Sequence, residues 1–126
     1  YFDYVYPMVY PSHYNKGFAG LADPNSDVYA VVYESLVGAA ARERATTTEH
    51  ASLAYSPIAS TSPELYQKPD YRGKVIPWLQ DFDYPVDYTP AMVAAQIKAA
   101  RDAGMESYLF WDAGNKYSSL RQVLAP

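Results

Sequence analysis

The chain contains no cysteine and only two histidines, His13 and His50. Disulfides and thiolate chemistry are therefore excluded. The short-spaced His, Cys and carboxylate clusters that mark metal sites are missing too, so neither a metal nor any cofactor is expected. Cation charge is also scarce, with 10 Lys and Arg against 14 Asp and Glu and a net charge of −4. Phosphate backbones need a concentrated basic surface, which argues against a nucleic-acid partner. No apolar run reaches the roughly 18 residues of a membrane-spanning helix, and the opening residues lack the pattern of a signal peptide. A Gly-rich phosphate loop, a nucleophile elbow and a His-Glu-x-x-His string are absent as well.

What the chain does carry is tyrosine, 14 residues against 4 Phe and 2 Trp. A phenol offers a flat apolar face and a polar tip, which suits ligands of mixed character such as sugars, although most of these rings are expected on half-buried faces. With 126 residues, 49% of them hydrophobic, the chain has the size of one modest domain and enough apolar material for a core. It opens on Tyr1 and runs almost at once into a strand, the pattern of a piece of something longer.

Three apolar, β-leaning runs end in polar and aromatic residues. Tyr4–Tyr10 leads into Pro11-Ser-His-Tyr14, Val75–Leu79 into Gln80-Asp-Phe82, and Ser107–Asp112 into Ala113-Gly-Asn-Lys-Tyr117. Between the first two, the spacing predicts a helix over about Val28–Ala45, capped by Ser26 or Asp27. Residues 46–74 are turn-rich and aperiodic and read as a loop insertion. Between the second and third runs, Thr89 is a good N-cap and Pro90 fits the first helical position. Val93, Ile97 and Ala100 form a stripe there, and Gly104 supplies the stop. A short helix over Ser118–Leu124 closes the chain.

Alternating strands and helices mean parallel strands with helical crossovers, an α/β fold. Polar residues gathered at the C-terminal ends of such strands are the arrangement of an active-site wall in a (β/α)8 barrel. Three βα units cannot close a barrel alone. On this reading residues 1–126 are the C-terminal portion of a TIM-barrel domain, and the 46–74 insertion lies on the face opposite the pocket.

Asp3-Tyr-Val-Tyr-Pro-Met-Val-Tyr-Pro-Ser-His-Tyr14, Pro77-Trp-Leu-Gln-Asp-Phe82 and Leu109-Phe-Trp-Asp-Ala-Gly-Asn-Lys-Tyr117 occur in that order. Together with the Gln96–Gly104 helix they resemble the last three strands of the DUF4015 group of glycoside hydrolase domains. The resemblance covers nearly the whole chain except the insertion. It implies that strands six to eight of the barrel are present here, and that the N-terminal barrel half, with any catalytic carboxylate on the fourth strand, lies upstream. One departure is Trp111-Asp112, where the resemblance leads one to expect Trp-Asn. A secreted or envelope location follows from the resemblance alone.

Glycosidic bond cleavage uses two carboxyl groups, and the candidates at strand ends are Asp81 and Asp112, with Asp83 just beyond. Asp81 is the stronger, as acid/base or as a sugar-hydroxyl ligand; the alternative is a loop cap or an ion pair. Trp111 is a candidate ring platform, and Tyr10, His13, Tyr14, Gln80 and Asn115 are candidate sugar-binding residues on the same rim. Alternation turns Tyr6, Met8 and Tyr10 to one side of their strand and Val5 and Val9 to the helices. Gln80 and Asp81 cannot both point inward from a regular strand. A Ser12-His13-Asp81 triad is conceivable, but adjacent Ser and His rarely face each other.

The reading is a glycoside hydrolase domain acting on polysaccharide or cell-wall glycan. It supplies sugar contacts and at most one catalytic carboxylate, and is inactive without the rest of the barrel. The alternatives are a non-catalytic glycan-binding barrel and a stand-alone small α/β interaction domain.

Overall fold

The computed structural model describes residues 4–53 and 74–125, with residues 42–53 described as backbone. In chain order these form β1 (Tyr4–Val5), α1 (Val28–Leu53), β2 (Lys74–Val75), β3 (Trp78–Gln80), α2 (Pro90–Asp102), β4 (Leu109–Trp111) and α3 (Ser118–Leu124). Short 3₁₀ turns at Pro11–His13, Phe18–Gly20 and Pro24–Ser26 occupy the link from β1 to α1. The mixed α/β character expected from the sequence is present.

The strands are shorter and more broken than the apolar runs predict, and proline is the reason. Pro7 and Pro77 have no N–H to give to a ladder. One register nevertheless runs past the break: Tyr4 lies opposite Lys74, Val5 opposite Val75, and Met8 opposite Trp78. The proline carbonyls stay useful. Trp78 N–H donates to the Pro7 carbonyl at 2.9 Å, and Leu109 N–H donates to the Pro77 carbonyl at 2.8 Å. On its other side β3 pairs in parallel with β4, Leu79 opposite Phe110 and Gln80 opposite Trp111. Two parallel ladders, β1–β2 and β3–β4, thus share the central segment 74–80.

Side-chain alternation divides the two faces. Val9 and Leu79 are buried among Val32, Leu36 and Ala40 of α1 and Ala99 and Ala100 of α2, with Val75 and Phe110 packed against them. Full burial of Leu36 or Leu79 is worth about 1.5–3 kcal/mol each. On the other face Tyr6, Met8 and Trp111 remain 48%, 71% and 46% exposed. Val5 departs from the expected pattern and is half exposed.

Asp27 caps α1 by accepting the Ala30 N–H at 3.0 Å. The helix runs on to Leu53, past its expected end at Ala45, which corrects the reading of residues 46–53 as loop. Threonine costs a helix only a fraction of a kcal/mol, and neither Gly nor Pro interrupts the chain between Gly38 and Pro57. The remaining part of the expected insertion, 54–73, lies outside the described residues. In α2 the sequence signals hold as read. Thr89 Oγ accepts the Met92 N–H at 3.3 Å, Pro90 opens the helix, and Gly104 follows it at φ 92°. The α2 stripe packs on α1, and at their surface Asp102 accepts the Tyr29 hydroxyl at 2.7 Å and pairs with Lys98. The other flank of α2 carries α3. Among the described residues no helix is long and apolar enough to cross a membrane.

Candidate functional site

The ends of β3 and β4 lie side by side because the Asp81 N–H donates to the Trp111 carbonyl at 3.0 Å. The residues that follow, Asp81 and Asp112, are both buried. They border one cavity of about 340 Å³, lined also by Phe82, Asp83, Lys116 and Ser119.

The two carboxyl groups have different surroundings. Asp81 accepts the backbone N–H of Leu120 in α3, at 3.2 and 3.4 Å to its two oxygens. Burial pushes its pKa up. The backbone N–H groups of Leu120 and Ser119 oppose this, and the neighbouring Asp112 and Asp83 charges add to the rise. Asp112 Oδ1 accepts the Gly114 N–H at 2.9 Å, while its Oδ2 accepts those of Lys116 and Tyr117, each at 2.8 Å. Burial alone would raise Asp112. The three N–H bonds, with the Lys116 charge, reverse that and hold it below the usual carboxylate range. One cavity is therefore bordered by two carboxyl groups whose pKa values are displaced in opposite directions.

Gln80 is fully buried. Its Oε1 accepts the Ser12 hydroxyl at 2.9 Å, and its Nε2 donates to the carbonyls of Phe82 and Tyr84 at 3.0 and 3.2 Å. The amide thus ties the loop after β1 to the loop after β3. Tyr10, also buried, meets His13 and Phe82 edge-on at 5.3 and 5.4 Å between ring centroids. Burial raises its phenol pKa, and Tyr117 raises it further. His13 itself is exposed. Trp111 stands half exposed in a T-shaped contact with Trp78, 6.0 Å between ring centroids.

None of the sugar-binding candidates Tyr10, His13, Tyr14, Gln80, Trp111 and Asn115 is part of the cavity lining. Tyr14 packs on Phe18 at 4.4 Å, and its hydroxyl accepts from Ser35 of α1 at 2.8 Å, which places it on the helix side. Asn115 sits exposed in the turn after β4 at φ 53°. Ser12 directs its hydroxyl to Gln80, so the structure assembles no Ser12-His13-Asp81 relay. Among the described residues no group of His, Asp and Glu converges to hold a metal ion.

The residues missed from the sequence are Gln96, Lys116, Ser119 and Leu120. Gln96 had a legible signal, since it lies three residues after Val93 on the buried stripe of α2, where an amide needs a partner. Leu120 acts through its backbone, which no side-chain pattern reveals.

A family model described as "Putative glycosyl hydrolase domain", DUF4015, matches residues 1–117. No curated protein and no solved structure matches the chain.

Proposed function

We propose, from the premise that this chain belongs to the DUF4015 family, that the cavity at the ends of β3 and β4 is a sugar subsite of a glycoside hydrolase domain. The observation that carries this reading is the pair Asp81 and Asp112, buried around one cavity with pKa values displaced in opposite directions. Asp81, which keeps its proton further up the pH range, is suited to donate it to a leaving-group oxygen or to bind a sugar hydroxyl. Trp111, half exposed, is suited to stack its indole on the apolar side of a sugar ring. Phe82 of the cavity lining forms an aromatic cluster with Tyr10 and His13, and Gln80 serves the site by holding two of its loops together.

Parallel strands with helices on one face and Tyr6, Met8 and Trp111 exposed on the other fit a portion of a (β/α)8 barrel, the other face turned toward the axis. In that arrangement the second reacting carboxyl comes from elsewhere in the barrel, and this chain supplies Asp81 and the sugar contacts. The substrate is a polysaccharide or cell-wall glycan, met outside the cell or in its envelope.

The test is a glycan-binding and hydrolysis screen of the full-length protein alongside its Asp81→Asn variant. Turnover that disappears while binding persists supports the acid role. Undiminished turnover removes Asp81 from the chemistry, and loss of binding together with turnover makes it a ligand-holding residue. A second reading, a glycan-binding barrel without hydrolysis, is favoured by the complete engagement of Asp112 with backbone N–H groups. Tight binding with no turnover of any glycan by the full-length protein would establish it.

A further inference from the structure

We propose that Asp112 is a positioning residue: it shapes the 113–117 turn so that the start of α3 presents its Leu120 N–H to Asp81. The inference rests on the reading of Asp81 as the proton-bearing group of the cavity. Both Asp112 oxygens are occupied, one by Gly114 and the other by Lys116 and Tyr117. That leaves little accepting capacity for a reacting group.

The turn those bonds hold is strained. Asn115 and Tyr117 stand at φ 53° and 49°, a left-handed conformation that asparagine adopts readily in turns but that a bulky residue such as Tyr117 adopts only when its surroundings compel it. Asp112 supplies the compulsion, since its side chain takes the N–H of Tyr117 and its carbonyl takes the N–H of Asn115 at 3.0 Å. Tyr117 is also the residue from which α3 departs, and its carbonyl accepts the Arg121 N–H at 3.0 Å. Fixing Tyr117 therefore sets where the helix begins. Three residues on, the Leu120 N–H meets both oxygens of Asp81. A second anchor holds the same end of α3, the Ser119 hydroxyl donating to the Tyr88 carbonyl at 2.6 Å.

Two ways for Asp112 to influence Asp81 make opposite predictions. Asp112 and Asp83 bring negative charge to Asp81, and Lys116 lines the same cavity. Were Asp112 a neighbouring charge and nothing more, neutralising it would make Asp81 easier to ionise. Acting through the turn, its loss slackens the Leu120 N–H and makes Asp81 harder to ionise.

The experiment follows the Asp81 side-chain carboxyl by ¹³C NMR through an acid titration. It also reads Leu120 amide exchange, in the full protein and in its Asp112→Asn and Asp112→Glu variants. Expected in both variants are an upward shift of the Asp81 midpoint and Leu120 exchange faster by about tenfold, the loss of one ordinary hydrogen bond. A downward or absent shift, or unchanged Leu120 exchange, overturns the proposal. Should the variants not fold, the unsubstituted protein decides: after the loss of Leu120 protection that accompanies protonation of Asp81 itself, a second loss follows at lower pH as acid titrates Asp112, and the absence of that second step overturns the proposal. Neither readout involves a sugar, so an absence of glycan binding would count against the function and leave this inference standing.

Discussion

Gln96 takes the place beside Gln80 that a neighbouring strand would fill. Its Oε1 accepts the Gln80 N–H at 2.9 Å, and its Nε2 donates to the Gln80 carbonyl at 2.8 Å. The need arises from the alternation of the ladder. Ile76 and Trp78 donate to the carbonyls of Val5 and Pro7, so Gln80 is next in turn on that side. By then the first strand has left the sheet at the Pro11–His13 turn. A side-chain amide from α2 satisfies both orphaned backbone groups.

Replacing Gln96 by Leu keeps the volume and removes both bonds, leaving a buried N–H and a buried carbonyl unpaired. The expected cost is about 2–4 kcal/mol, read as a lower urea midpoint at unchanged slope. An unaltered midpoint would show that strand and helix hold together without the amide.

Asp81→Asn preserves shape and removes the transferable proton. If the group acts as general acid, turnover of the full-length protein falls by about 10²–10⁴-fold. Glycan affinity measured by calorimetry should change little.

The two carboxyls shift stability with pH in opposite senses. Asp112 has a depressed folded-state pKa, so its contribution is present above the unfolded carboxylate value of about 3.9 and is lost as pH falls through its folded value. Asp81 has a raised one. Its contribution is complete below the unfolded value and is lost as pH rises through the folded value. Urea unfolding across the acid range should therefore show Asp81→Asn flattening the loss on the rising-pH side. Asp112→Asn should remove the loss on the falling-pH side, and lower stability at neutral pH as well. Identical profiles for the two variants would contradict the separation of the sites.

Trp111→Ala tests the platform. The indole is half exposed, so stability should fall by less than about 1 kcal/mol. Affinity for a bound glycan should drop about tenfold, equivalent to about 1.4 kcal/mol. Equal binding by both proteins would leave Trp111 no part in recognition.

Much of the framework was legible because its causes are local. The ends of α2 follow from Thr89, Pro90 and Gly104, each of which acts within one turn of its own position. The alternation of strands and helices dictated parallel strands, and the period of two along Val9 and Met8 told their faces apart. Asp81 and Asp112 stood out by ending apolar runs. Less legible were the breaks at Pro7 and Pro77, which fall opposite one another only once register aligns residues far apart in the chain. The end of α1 was also misjudged, because three consecutive threonines lower helix propensity without forbidding the helix.

By itself, then, the sequence determined an α/β chain with acidic and aromatic residues at the ends of its parallel strands. Tertiary structure alone decided that Asp81 and Asp112 share a cavity, that burial raises the pKa of one while backbone N–H bonds lower that of the other, and that Gln96 completes the sheet. The physical reason is that desolvation, and hydrogen bonds between segments tens of residues apart, depend on positions in space. A backbone N–H such as Leu120's carries no side-chain identity by which the sequence could announce its partner.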